Sequence, residues 1–186
     1  MASWKAPVKN VHRGVTTVSM LLEEREELFL TATASDGENW ESLFQRVNEA
    51  LQISEAAVVS QEVFGDTARG MTAFRKVFGE VRWPLTWIGQ PPGQERRVIG
   101  TQVWAVHGTT PTRLRVNGRV LGSVLDFPEA QVCRLGGLLP EDQAASDEDQ
   151  AYSVFQVMQS ALETVEMDFS EVLRTWFYNR DILDWY

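Results

Sequence analysis

Residues 41–52 read E-S-L-F-Q-R-V-N-E-A-L-Q, and residues 152–163 read Y-S-V-F-Q-V-M-Q-S-A-L-E. Laid over one another without a gap, they share Ser42/Ser153, Phe44/Phe155, Gln45/Gln156, Ala50/Ala161 and Leu51/Leu162. Apolar residues also coincide at Leu43/Val154 and Val47/Met158. An apolar stripe at helical spacing recurs in many unrelated helices, but the shared Ser and Gln lift this match above that level. An internal repeat changes how the rest of a chain is read. The flanks agree: an apolar run precedes each helix (residues 28–34 and 132–139) and a β-rich run follows each (57–64 and 172–178). Both copies read strand, helix, strand.

Outward from the first copy, residues 1–12 read as a loose tail. Residues 15–22 and 28–34, joined by a charged turn at 23–27, have a hairpin pattern. The helix at 40–51 carries apolar residues at 40, 43, 44, 47, 50 and 51, one face of a cylinder. Gly65-Asp66-Thr67 signals a second helix at 68–78, with Met71, Phe74, Val77 and Phe78 as its stripe and Gly79 as its stop. Residues 81–88, V-R-W-P-L-T-W-I, read as an edge strand, because proline cannot donate to a ladder. Residues 90–94 form a turn, and 98–106 a last strand.

Gly108-Thr109-Thr110-Pro111 is the linker, dividing the chain into units 1–108 and 109–186. The second unit opens with strands at 113–116 and 120–125 about Asn117-Gly118, a strong hairpin signal. Ser146 is the N-cap of its helix, and the acids at 141–149 suit the positive end of the helix dipole better than a metal. The second copy ends at Tyr186, just past its second β-rich run. It is expected to lack its last helix and strand: either the chain is a fragment, or another chain supplies those elements. The fold class is α+β, a mixed sheet with helices on one face, present once in full and once in part. The other sheet face and the seven tryptophans point to oligomerisation.

Composition narrows the function. The 186 residues are 44% hydrophobic and 23% charged, as in a soluble globular protein. No apolar run approaches the ~20 residues that span a bilayer, and the N-terminus has no signal-like apolar region. The one cysteine, Cys133, in an apolar setting, reads as a core thiol in a reducing cytoplasm. A net charge of −9 disfavours nucleic acid; the local basic candidates are Arg96-Arg97, Arg113, Arg115 and Arg119. His12 and His107 lie far apart, no Gly-x-Ser-x-Gly occurs, and no His/Cys cluster has metal spacing. Gly118 to Gly122 lacks a dinucleotide fingerprint. No metal and no cofactor is implied.

The order hairpin, strand, helix, strand, helix, strand, with G-G-L-L-P at 136–140 and R-T-W-F-Y at 174–178, resembles the Rid (YjgF-like) family. It is similar above all to tandem members related to the chorismatases. The resemblance covers residues 14–108 as a divergent copy and 112–186 as a truncated one. It implies a chorismate-mutase-like fold, assembly as a homotrimer or pseudo-hexamer, and ligand pockets between neighbouring domains. It also implies hydrolysis of enamines, imines or chorismate, with an arginine holding the substrate carboxylate and a glutamate positioning water. RNA cleavage, credited to some members as an endoribonuclease activity, fits poorly with −9. The matching positions here are Thr86 and Gln102. Threonine lacks the bidentate fork of arginine, and glutamine is no general base. Whether the chain is an enzyme stays open.

The remaining candidate ligand-binding residues are Arg174, Trp176 and Tyr178, with Gly136 and Gly137. Alternation along a strand would put the first three on one face, where charge, indole and phenol suit a small cyclic carboxylate. The structural alternative is an Arg174 ion pair with aromatics at a subunit interface. Gly136 and Gly137 admit either a ligand or a closely packed strand.

Overall fold

Arg13 and Gly14 both take positive φ, 47° and 72°, the conformation of the two-residue turns that join antiparallel strands. A computed structural model describes residues 5–22, 25–89, 99–128 and 130–179. In it this turn joins β1 (Val8–His12) to β2 (Val15–Leu22), with His12 opposite Val15. Residues 8–12 are therefore a strand and not a loose tail. The turn signal is Arg-Gly, less conspicuous than Asn-Gly.

β2 pairs antiparallel with β3 (Arg25–Thr33), as the hairpin pattern requires. Then come α1 (Trp40–Ile53), β4 (Ala57–Phe64) and α2 (Thr67–Phe78). Asn39 and Asp66 cap the helices by accepting hydrogen bonds from backbone N–H groups of their first turns. β5 (Leu85–Ile88) is shorter than the pattern 81–88 and lies at the sheet edge, where Pro84 costs no ladder bond. β6 (Gly100–His107) enters between β3 and β4, giving the order β1-β2-β3-β6-β4-β5. β4 and β5 are parallel and the other described pairs antiparallel, so the sheet is mixed. The turn expected at 90–94 and the Arg96-Arg97 pair lie outside the described residues.

One face of this sheet carries α1 and α2. Leu28, Leu30, Ala32, Val63 and Val103 meet Trp40, Leu43, Phe44, Val47 and Phe74 there. Burying each large side chain contributes about 1.5–3 kcal/mol. Trp83 and Trp87 pack on the same cluster, and Trp87 fills the space above Gly70, where a Cβ would strike its ring. Three of the tryptophans thus serve the helix–sheet core rather than an open sheet face. Trp104 is on the opposite face, stacked on Phe29 at 6.2 Å.

The second unit is a three-stranded antiparallel sheet, β7 (Thr112–Val116), β8 (Arg119–Asp126) and β9 (Gln131–Leu135), followed by α3 (Asp147–Glu163). Asn117 and Gly118 form the β7–β8 turn, at φ 49° and 78°. Ser146 caps α3 and three acids occupy its first turn. Leu114, Leu121, Cys133 and Leu135 face α3. The other face of this small sheet lies on the first: Leu125 packs with Val59 and Val106. At a bulge in β4 the ladder slips between Val58 and Ser60. There Arg113 donates to the Val58 carbonyl at 2.6 Å and Ser123 to that of Val59 at 2.6 Å. The face opposite the helices is thus partly covered from within the chain.

After a single 3-10 turn at Phe169–Glu171, residues 172–179 are irregular. The strand expected at 172–178 is absent. A strand exists through a ladder partner, and no described strand pairs with this one. Leu173 is 100% exposed, and Trp176, Phe177 and Tyr178 are about half exposed, so the expected two-faced alternation is lost.

Candidate functional site

Across the face opposite the helices, strand register sets Thr86, Glu62, Gln102, Thr31 and Thr16 side by side on β5, β4, β6, β3 and β2. The two positions that the family resemblance singles out, Thr86 and Gln102, therefore flank one carboxylate, that of Glu62. β9 lies over this end of the row. Its Arg134 Nη2 meets Glu62 Oε1 at 2.8 Å. Arg134 Nε is buried and finds no hydrogen-bond partner among the described residues.

The chain leaving β9 is pinned to β5. Gly137 N donates to Thr86 Oγ1 at 2.9 Å, and Arg119 Nη2 donates to the Gly137 carbonyl at 2.9 Å. A Cβ on Gly136 would lie 3.0 Å from Thr86 Oγ1, and one on Gly137 would run into the Leu85 carbonyl oxygen. Close backbone approach accounts for both glycines.

Trp176 comes back to this place. The Arg134 guanidinium is 5.0 Å from its ring centroid and that of Arg174 is 5.2 Å, both within reach of a cation–π contact. The indole thus touches two guanidiniums. Arg134 is paired to Glu62, whereas Arg174 pairs with no carboxylate among the described residues. Four of the five sequence candidates, Arg174, Trp176, Gly136 and Gly137, belong to this neighbourhood. Tyr178 is half exposed and makes none of the hydrogen bonds or ring contacts seen here.

Glu62 and Arg134 escaped the sequence reading. Their signal is a lone charge inside an apolar strand, in S-Q-E-V-F and in V-C-R-L, with opposite signs. Nearby, the buried Gln61 side chain donates to Thr101 Oγ1 and accepts from Trp83 Nε1, both at 3.0 Å. This network is satisfied, and it anchors β4, β6 and the approach to β5.

The repeated Ser and Gln do different work in the two units. Ser153 Oγ accepts from Glu141 N at 3.1 Å, and with Gln156 it lines an open groove of about 350 Å³ between α3 and the β7–β8 hairpin. In the first unit it is the Ser42 backbone N–H that bonds the Asn39 cap, and Gln45 donates to Glu41. Among the described residues no group of three or more His, Cys, Asp or Glu is placed to hold a metal, and no helix is long and apolar enough to cross a membrane. No protein-family model matches the chain, and a search of curated proteins finds no match.

Proposed function

We propose that this chain is a Rid-like small-molecule-binding protein that takes a small cyclic or aromatic carboxylate at Trp176, with Arg174 as the charge partner. The observation that carries this reading is the indole flanked by two guanidiniums, one neutralised by Glu62 and one without a carboxylate among the described residues. A planar carboxylate offers a ring to stack on the indole and two oxygens to the Arg174 fork. Thr86 and Gln102 stand where the family resemblance implies an arginine and a glutamate, so imine deamination is not part of the reading. Calorimetric titration with benzoate tests it. Binding that weakens about tenfold or more in Arg174→Ala and in Trp176→Leu is expected, a tenfold loss being ~1.4 kcal/mol. Heats identical in the variants would overturn it. Hydrolysis of 2-aminoacrylate or chorismate above buffer, lost in Glu62→Gln, would move the reading to a hydrolase of such carboxylates. RNA cleavage has no support in a net charge of −9.

A second reading, an assembly module, is favoured by the part of the first sheet that the second unit leaves open. There Val11 and Phe29 are exposed, and Phe29 stacks on Trp104, whose Nε1 is buried without a partner among the described residues. Further copies of this chain are the proposed cover, in a trimer or pseudo-hexamer. Sedimentation at micromolar concentration checks it: a mass of one chain rules the assembly out, and Phe29→Glu should dissociate a trimer.

A further inference from the structure

A second, open groove of about 560 Å³ lies where the chain passes from α2 to β5 and where β7 begins, lined by Arg82, Arg113 and Arg115 together with Glu80, Thr110 and Gly118. The chain has 26 acidic and 17 basic residues, so three arginines on one groove go against its overall balance. Among the described residues none of the three pairs with a carboxylate. Arg113 is half-buried and donates only to neutral oxygens, those of Val58 and Ser123. Arg115 makes one long bond, 3.3 Å, to the Gly118 carbonyl. Glu80 supplies at most one countercharge for three cations.

A partly buried guanidinium without an anionic partner is costly, and like charges that converge on one concave surface attract an anion. Burial holds Arg113 below the ordinary arginine pKa. Its two hydrogen bonds fix the charge in place, one joining β7 to the β4 bulge and the other to Ser123 of β8. Arg82 and Arg115 are exposed.

We propose that this groove is a binding site for a small oxyanion carrying at least two negative charges, with Arg113 as the fixed charge and Arg82 and Arg115 as the closing contacts. The shared chemistry is that of a diphosphate or a polycarboxylate. It is separate from the Arg174 and Trp176 neighbourhood and does not depend on it.

Calorimetric titrations of the whole chain with inorganic pyrophosphate and with citrate, in low salt, test the site. Arg113 also holds β4, so Arg113→Ala can fail for structural reasons; the informative variants are the exposed Arg82→Ala, Arg115→Ala and Glu80→Gln. Binding of either anion should weaken about tenfold in each arginine variant, the size of one charge-assisted contact, and should tighten in Glu80→Gln. Pyrophosphate alone would identify a phosphate ligand, and citrate alone a polycarboxylate. Arg69→Ala, on α2 outside the groove, should bind as the parent does. No binding of either anion at millimolar concentration, or equal losses in Arg69→Ala and Arg115→Ala, would overturn the proposal.

Discussion

Arg134 of β9 and Glu62 of β4 meet at 2.8 Å across the two sheets, and each is the other's ion-pair partner. The contact links the second unit to the polar row on the first. Removing one partner leaves a partly desolvated charge alone. A fully buried pair broken this way costs ~3–5 kcal/mol. Here the side chains retain 29% and 15% exposure, so Glu62→Met or Arg134→Met alone should cost about 1–3 kcal/mol. The double variant Glu62→Met/Arg134→Met should recover most of it. Urea unfolding of the parent, the two single Met variants and the double variant checks this through the coupling energy.

Gly137→Ala should be more damaging than Gly37→Ala. Both glycines have positive φ, 67° and 76°, so both replacements carry the left-handed penalty of about 1–2 kcal/mol. Only at Gly137 does the new Cβ strike the Leu85 carbonyl; at Gly37 nothing lies within 4 Å. In a chain of this size each extra kcal/mol lowers the melting temperature by about 2–4 °C. Equal melting temperatures would show that the β9–β5 approach can relax at no cost.

The thiol of Cys133 should be inert in the folded protein. Burial against α3 pushes it up from the usual 9.0 to about 11. At pH 8 this leaves roughly a hundredfold less thiolate than an unburied cysteine has. Thiol-reactive reagent should modify it slowly in buffer and at once in denaturant. The raised value also predicts a stability contribution that is intact below pH 9.0 and declines as pH rises towards about 11.

Arg46 holds the Glu38 carboxylate with two bonds, at 2.8 and 3.0 Å, and donates to the Thr33 carbonyl as well. The guanidinium keeps the Glu38 carboxyl below the ordinary 4.5. In acid the unfolded chain therefore binds the proton more tightly than the folded one does. The stabilisation is complete above about 4.5 and is lost as pH falls through the lowered folded value. Glu38→Gln should reduce stability at neutral pH and flatten its fall below pH 4.5. Melting temperatures of both proteins from pH 3 to 7 check the slope.

The regular elements of the first unit were legible because local rules and tertiary packing agree there. The stripe of Trp40, Leu43, Phe44 and Val47 has one period and one partner face; in the second unit Asn117-Gly118 likewise dictates the β7–β8 hairpin. Strand β1 was hidden because Arg13 carries no turn preference in common statistics and its positive φ shows only in three dimensions. Residues 172–178 misled for the opposite reason. Their β-rich composition is real, but a ladder depends on a neighbour that no local pattern reports. The site was half legible: Arg174 and Trp176 stand out as a charge beside an aromatic. Glu62 and Arg134 are ordinary until register and sheet stacking bring them together.

The β4 bulge has a consequence for synthesis. The carbonyls of Val58 and Val59 are served by Arg113 and Ser123, and Val59 is covered by Leu125. All of these leave the ribosome well after β4 does. At ~5–20 residues per second, the bulge and its apolar neighbours wait several seconds for their cover. A nascent chain stalled in that interval shows bare carbonyls and an uncovered Val59–Val106 patch, the kind of surface that chaperones hold.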